Sequence, residues 1–186
     1  MASGSENAYY RKVSVQSTNL AITSSIAYEH FEAYGFGVDY PSNCIIEFNP
    51  KSNRNQGDVA MKSPNGYKLF LSWGELKKVE KLRGVDGHAD YSIQKIKGSR
   101  EALVKDVRRE STRVNGHNAS FSDIKLEVLR RGLFFNTTKT PQEVLSLHVH
   151  CDASSRYFVI YSPASSDKSQ EQAEVVSRMV KSFVCH

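Results

Sequence analysis

The sequence predicts an α+β domain built on a twisted antiparallel β-sheet. Three observations carry this reading: short β runs separated by tight-turn signals, a single helix-like stretch in the middle, and a well-punctuated amphipathic helix at the end. The 186 residues suit one domain with a real core, assigned to 21–186, behind a polar tail over 1–20.

Each element follows from local chemistry. "IAYEHFEAYGFGVDYP" is rich in aromatics, with Gly35 and Gly37 inside and Pro41 at its end, which predicts strand, tight turn, strand. "CIIEF" predicts a further strand. "DVAMK" and "YKLFLSW" flank Ser63-Pro64-Asn65-Gly66, and Asn-Gly supplies the positive φ angles that a hairpin turn needs. Residues 75–97 are helix-like, in pieces broken by Gly84 and Gly87, and 99–112 reads either as a helix capped by Ser99 or as a strand leading into "VNGH", with propensity alone leaning to helix. After the Asn115-Gly116-His117 turn, Phe121, Ile124, Leu126 and Val128 mark a strand. "RRGLFFNTTKTPQ" is then a thirteen-residue connection, "EVLSLHVHC" a strand, "DASS" a turn, and "RYFVIYS" a strand that Pro163 stops. In the closing helix Val176, Met179, Val180 and Phe183 form one apolar stripe, and Ser169 with Gln172 has the spacing of a capping box.

The order of these segments resembles a known superfamily. The glycine-aromatic opening "YGFGVDYPSNC", the "SPNGYKLFLSW" hairpin, "VNGH" before a strand, then "RYFVIYS" and a helix ending "MVKSF" are similar to the PsbP photosystem proteins, the Ran-binding Mog proteins and the DcrB-like lipoproteins. The resemblance spans Phe31 to Phe183. It implies an α/β/α sandwich, with helices on both faces of the sheet. It also implies that Leu103 to Val114 is a strand, against propensity, and moves the middle helix to His88–Lys97. Members of that superfamily bind partners or assist complexes, so the resemblance implies binding rather than catalysis.

Two clusters near the end of the chain carry candidate chemistry. In "SLHVHC", strand alternation puts Ser146, His148 and His150 on one face and Leu147, Val149 and Cys151 on the other. Histidines at i and i+2 on a strand can both reach one metal ion, which makes His148 and His150 a candidate divalent-metal pair. The competing reading is a strand whose imidazoles face solvent or hydrogen-bonding neighbours. The strand from Arg156 should run about 23 Å and the closing helix about 21 Å. If the helix packs back along that strand, Cys185 arrives beside Cys151, with α-carbons under about 7 Å. Two reduced thiols, a disulfide, and a metal site with His186 are the three readings of that meeting.

A second candidate surface is the connection carrying Arg130, Arg131, Leu133, Phe134 and Phe135. Exposed aromatics beside arginines have the composition of a partner-binding hot spot, or of a platform for single-stranded nucleic acid. Lys and Arg number 25 against 20 acidic residues, a net charge of +5. That is far from the footprint of a dedicated nucleic-acid binder, so a protein partner is the expectation.

No G-x-S-x-G, G-x-x-x-x-G-K-[ST], H-E-x-x-H or C-x-x-C is present, and "YGFG" lacks the rest of a dinucleotide fingerprint. Asp86 near His88 and Asp123 near His117 are the remaining acid-histidine pairs, and both histidines follow a glycine as turn residues do. No catalytic residue and no required cofactor is therefore expected. No run approaches the length of a membrane span, and the opening "MASGSENAYYRK" has no apolar core of a secretory signal. With three cysteines, too few for a disulfide scaffold, the expectation is a cytoplasmic chain.

Overall fold

The computed structural model describes residues 26–64, 66–131 and 137–186, Arg131 in its backbone alone. The expected tail over 1–20 and the loop residues Leu133, Phe134 and Phe135 lie outside the described residues.

Strands β1 (Tyr28–Ala33) and β2 (Phe36–Pro41) form a separate antiparallel ribbon. Its turn, Tyr34-Gly35, has φ of 54° and 70°. The main sheet contains β3 (Ile45–Phe48), β4 (Gly57–Lys62), β5 (Lys68–Glu75), β6 (Ala102–Val114), β7 (His117–Arg131), β8 (Thr137–Cys151) and β9 (Arg156–Ser165). Their order is β3-β4-β5-β9-β8-β7-β6, and every pair is antiparallel. Helix α1 (Gly84–Lys97) covers one face over β6, β7 and β8; α2 (Ser169–Ser182) and the β1–β2 ribbon cover the other. The expected antiparallel α+β domain is thus observed.

The larger core lies on the α2 side. Phe158 is fully buried there, with Phe36 and Phe183 rings at 5.5 and 5.1 Å. Met179 and Val176 of α2 reach the same cluster, as their stripe predicts. Each such side chain contributes about 1.5–3 kcal/mol by leaving water. A smaller cluster of Ile93, Ile124, Leu126 and Val144 sits beneath α1.

Several expectations need correction. The middle helix starts at Gly84, not His88, after Arg83 (φ 60°) and Gly84 (φ +93°) reverse the chain. Gly87 is no breaker: it lies within α1, where a β-carbon would stand 1.7 Å from the Leu82 carbonyl oxygen. Pro163 does not end β9, and Pro141 stands inside β8. Pro163 pairs with Val144 beyond the last β5 partner, and Pro141 pairs with Glu127 before β9 pairing begins, so each has one strand edge free for a residue without an N–H. The thirteen-residue connection is largely strand, since Arg130 and Arg131 pair with Thr138 and Thr137. Threonine's β-branched side chain favours that extension.

The capping box also fails. Lys168 precedes the first turn of α2, with no side-chain cap. Gln172 instead lies fully buried and donates to the Ser162 carbonyl and, at 3.2 Å, to the Ser162 hydroxyl, fastening the helix to β9.

Gly87→Ala should force α1 and the Leu82 turn apart. A loss of about 2 kcal/mol in urea unfolding is expected; a variant as stable as the parent would contradict the close approach.

Candidate functional site

Strand β8 presents two different chemistries because its last eight residues are buried on both faces. On the α1 side, His148 and His150 meet His88 of α1 and Tyr157 of β9. His88 Nδ1 lies 3.2 Å from His150 Nε2. His148 Nε2 lies 3.0 Å from Ser92 Oγ, which itself donates to the His88 carbonyl. The imidazoles therefore spend their polar atoms on one another and on serine, as buried polar groups must. Burial pushes His88 down to about 4 and His148 to about 3, helped by the neighbouring imidazoles; burial also lowers His150. All three are neutral at neutral pH. His88 follows a glycine, as turn residues do, but helix α1 continues through Gly87 and brings it over the pair. His148 turns its Nε2 to Ser92 rather than to the His88–His150 contact.

On the opposite face, Leu147, Val149 and Cys151 enter the α2-side core. Cys151 and Cys185 are disulfide-bonded, with α-carbons 6.6 Å apart, rather than present as free thiols. Cys44 is a free thiol. Two further imidazoles stand at the disulfide. Cys151 Sγ is 3.9 Å from His117 Nε2 and 3.8 Å from His186 Nδ1, and Cys185 Sγ is 3.6 Å from His186 Nδ1. The ligand atoms of His117, Cys151, Cys185 and His186 all lie within 4.8 Å of one another. Among the described residues this is the one group of three or more His, Cys, Asp or Glu whose ligand atoms converge in this way. Sequence spacing could not supply His117, which arrives by register: Asn118 pairs with His150, so the preceding residue stands across from Cys151.

The terminal segment is seated by polar contacts. Gly37 and Val184 exchange two backbone hydrogen bonds of 2.8 Å, and Asn115 Nδ2 donates to the Phe183 carbonyl. Arg156, 3% exposed and paired across the ladder with Cys151, donates to the carbonyls of Tyr34, Arg54, Gly35 and Cys185 at 2.7, 2.9, 2.6 and 3.1 Å.

A third feature lies beside α2. The helix leaves β6–β8 partly uncovered, and a groove of about 430 Å³ opens there. Phe121, Leu145 and Leu147 form its floor, with Ala173, Val176, Ser177 and Val180 along the helix wall. Glu110, Asp123 and Glu143 line it too. Burial and the adjacent Asp123 hold the Glu143 carboxyl above its usual range. Of the expected loop surface, Arg130 is an exposed strand residue bordering a cleft with Arg100 and Thr137.

No protein-family model matches the chain, and no curated protein matches it. Solved structures do. The solution structure of the PsbP protein of Synechocystis aligns over 88% of this chain and 95% of its own, with TM-score 0.56 and 12% identity. LpqN of Mycobacterium tuberculosis, involved in cell envelope biogenesis, aligns over 86% and 91% (TM-score 0.46, 14% identity). The Ran-binding protein Mog1p of Saccharomyces cerevisiae aligns over 87% and 96% (TM-score 0.48, 9% identity). The fold is PsbP-like, as the order of segments implied, and the likeness is one of fold.

The imidazole cluster sets an acid limit on stability. A histidine held neutral when folded, with an ordinary affinity for protons when unfolded, stabilises the fold above about pH 6.5 and loses that contribution as the pH falls towards the folded value. Each such histidine makes stability fall by up to about 1.4 kcal/mol per pH unit in that window. Urea midpoints should drop between pH 6.5 and 4.5, less steeply in His148→Gln; a flat profile would count against a neutral buried cluster.

Proposed function

We propose that this chain is a non-catalytic binding domain, and that its protein partner docks in the groove between α2 and strands β6–β8. The observation that carries this reading is the groove's composition: an apolar floor with Asp123 and Glu143 in contact along it. Two carboxylates in contact repel when both ionise. A basic side chain seated between them relieves that repulsion, while an aliphatic or aromatic neighbour fills the floor. The partner is therefore a segment presenting an apolar side chain next to a lysine or arginine. Ala173 and Ser177, both exposed and small, leave the helix wall open to it.

The absence of catalysis belongs to the same proposal. The buried imidazoles bond to one another and to serine under α1, away from the groove, which favours a structural role for them. The PsbP-like fold is compatible with binding and by itself names no partner.

Ser177→Arg fills the groove from an exposed position and should leave the melting temperature unchanged. Partners recovered from native cells with the parent chain should bind this variant at least about tenfold more weakly, and should be released by salt. Equal binding to both proteins, or no partner retained by the parent, would refute the groove as the docking site.

A further inference from the structure

We propose that His117, Cys151, Cys185 and His186 form a four-ligand zinc site when the Cys151–Cys185 disulfide is reduced. The site is independent of the groove and uses none of its residues.

Geometry is the first argument. Zinc bonds of about 2.3 Å to sulfur and about 2.0–2.1 Å to imidazole nitrogen set tetrahedral edges of about 3.5 Å between S and N and about 3.8 Å between the two sulfurs. The observed sulfur–nitrogen separations are 3.6, 3.8 and 3.9 Å, already close to those edges. The sulfurs must part, and the remaining pairs, Cys185 with His117 and the two imidazoles, already lie within 4.8 Å. The cysteine α-carbons, 6.6 Å apart, stand at the wide end of the range that a disulfide spans, so side-chain rotation supplies the separation without moving the strands.

Composition is the second. Two thiolates and two neutral imidazoles make the Cys₂His₂ set of structural zinc centres, closed to substrate and neutral overall once Zn²⁺ is bound. Both sulfurs are buried and His186 is exposed, so the ion has a dry interior seat and a route from solvent. The ligands come from three places held independently: the start of β7, the end of β8, and the terminal segment anchored by Gly37 and Arg156.

The chemistry balances in two steps. The Cys151–Cys185 bond takes two electrons and two protons from a dithiol, which becomes a disulfide. Zinc then binds the two thiols as thiolates and releases two protons to solvent. Oxidation by a second disulfide reverses the sequence and frees the ion. The same four residues thus clasp the terminal segment to the sheet covalently in one redox state and through a metal in the other.

Cobalt(II) is the probe. The full chain, reduced with a phosphine, should take up one cobalt per chain with the thiolate charge-transfer and visible bands of a tetrahedral site, and zinc should displace it. The oxidised chain should bind none. His117→Ala and His186→Ala should each weaken binding by more than about tenfold, the lower bound for losing even an outer-shell partner, while Cys44→Ser should not. If the reduced chain does not fold alone, adding zinc should restore its circular dichroism and melting transition. A reduced chain with no tetrahedral spectrum, failure of zinc to restore an unfolded reduced chain, or binding lost in His150→Ala but kept in His186→Ala would each overturn the site.

Discussion

The guanidinium of Arg156 is the interaction on which the arrangement of this end of the molecule depends. A buried cation without hydrogen bonds would cost several kcal/mol. Here four carbonyls from three separate stretches accept from it, and its central carbon lies 4.9 Å from the centroid of the Phe158 ring. Tyr34 and Gly35 belong to the β1–β2 turn, Arg54 to the loop before β4, and Cys185 to the terminal segment. Burial, followed by the nearby Arg54 charge, lowers its affinity for the proton, yet its high ordinary value keeps it charged. Since its acceptors are neutral backbone groups, fixed direction rather than ion pairing holds the three stretches in place. Cys185 reaches Cys151 because its own carbonyl is one of the four.

The two faces of β8 show how the same strand meets different demands. Towards α2 its side chains are apolar and gain by leaving water. Towards α1, beyond Val144, they are serine and histidine, which lose solvation there and recover it through hydrogen bonds with one another and with His88 and Ser92 of the helix. Neutral imidazole makes this arrangement tolerable, because the uncharged ring both donates and accepts. Protonation would convert a satisfied cluster into adjacent buried cations.

What the sequence reveals follows the range of the interactions involved. The turns at Tyr34-Gly35 and Asn115-Gly116 were legible because positive φ is a local demand met by few residues. The meeting of Cys151 with Cys185 was legible because strand and helix lengths nearly cancel. Other features were decided across the sheet. Gln172 has the spacing of a capping residue, but Ser162 on β9 offers its amide a buried acceptor. Pro163 looks like a terminator and Pro141 like part of a connection until the stagger of neighbouring strands leaves their nitrogens unpaired. His117 joins the two thiols through strand register, and His88 joins the β8 histidines through the packing of α1. Neither signal exists within a short window of sequence.

Helix α2 links the two proposed sites mechanically. Gln172 fastens its first turns to β9. At its other end Ser182 Oγ accepts from the Asp39 backbone at 2.8 Å, Arg178 pairs with Asp39 at 2.8 Å, and Phe183 is buried. Ala173, Val176, Ser177 and Val180 lie between these fixed points, so the groove wall cannot shift without breaking one of them. A disulfide and a tetrahedral zinc centre both tolerate the same 6.6 Å separation of the Cys151 and Cys185 α-carbons. Exchange between the two closures therefore leaves the helix where it is. Under this proposal the groove keeps its width in either redox state, and what changes at the far end is the bond that ties the terminal segment to the sheet, not the shape offered to a partner.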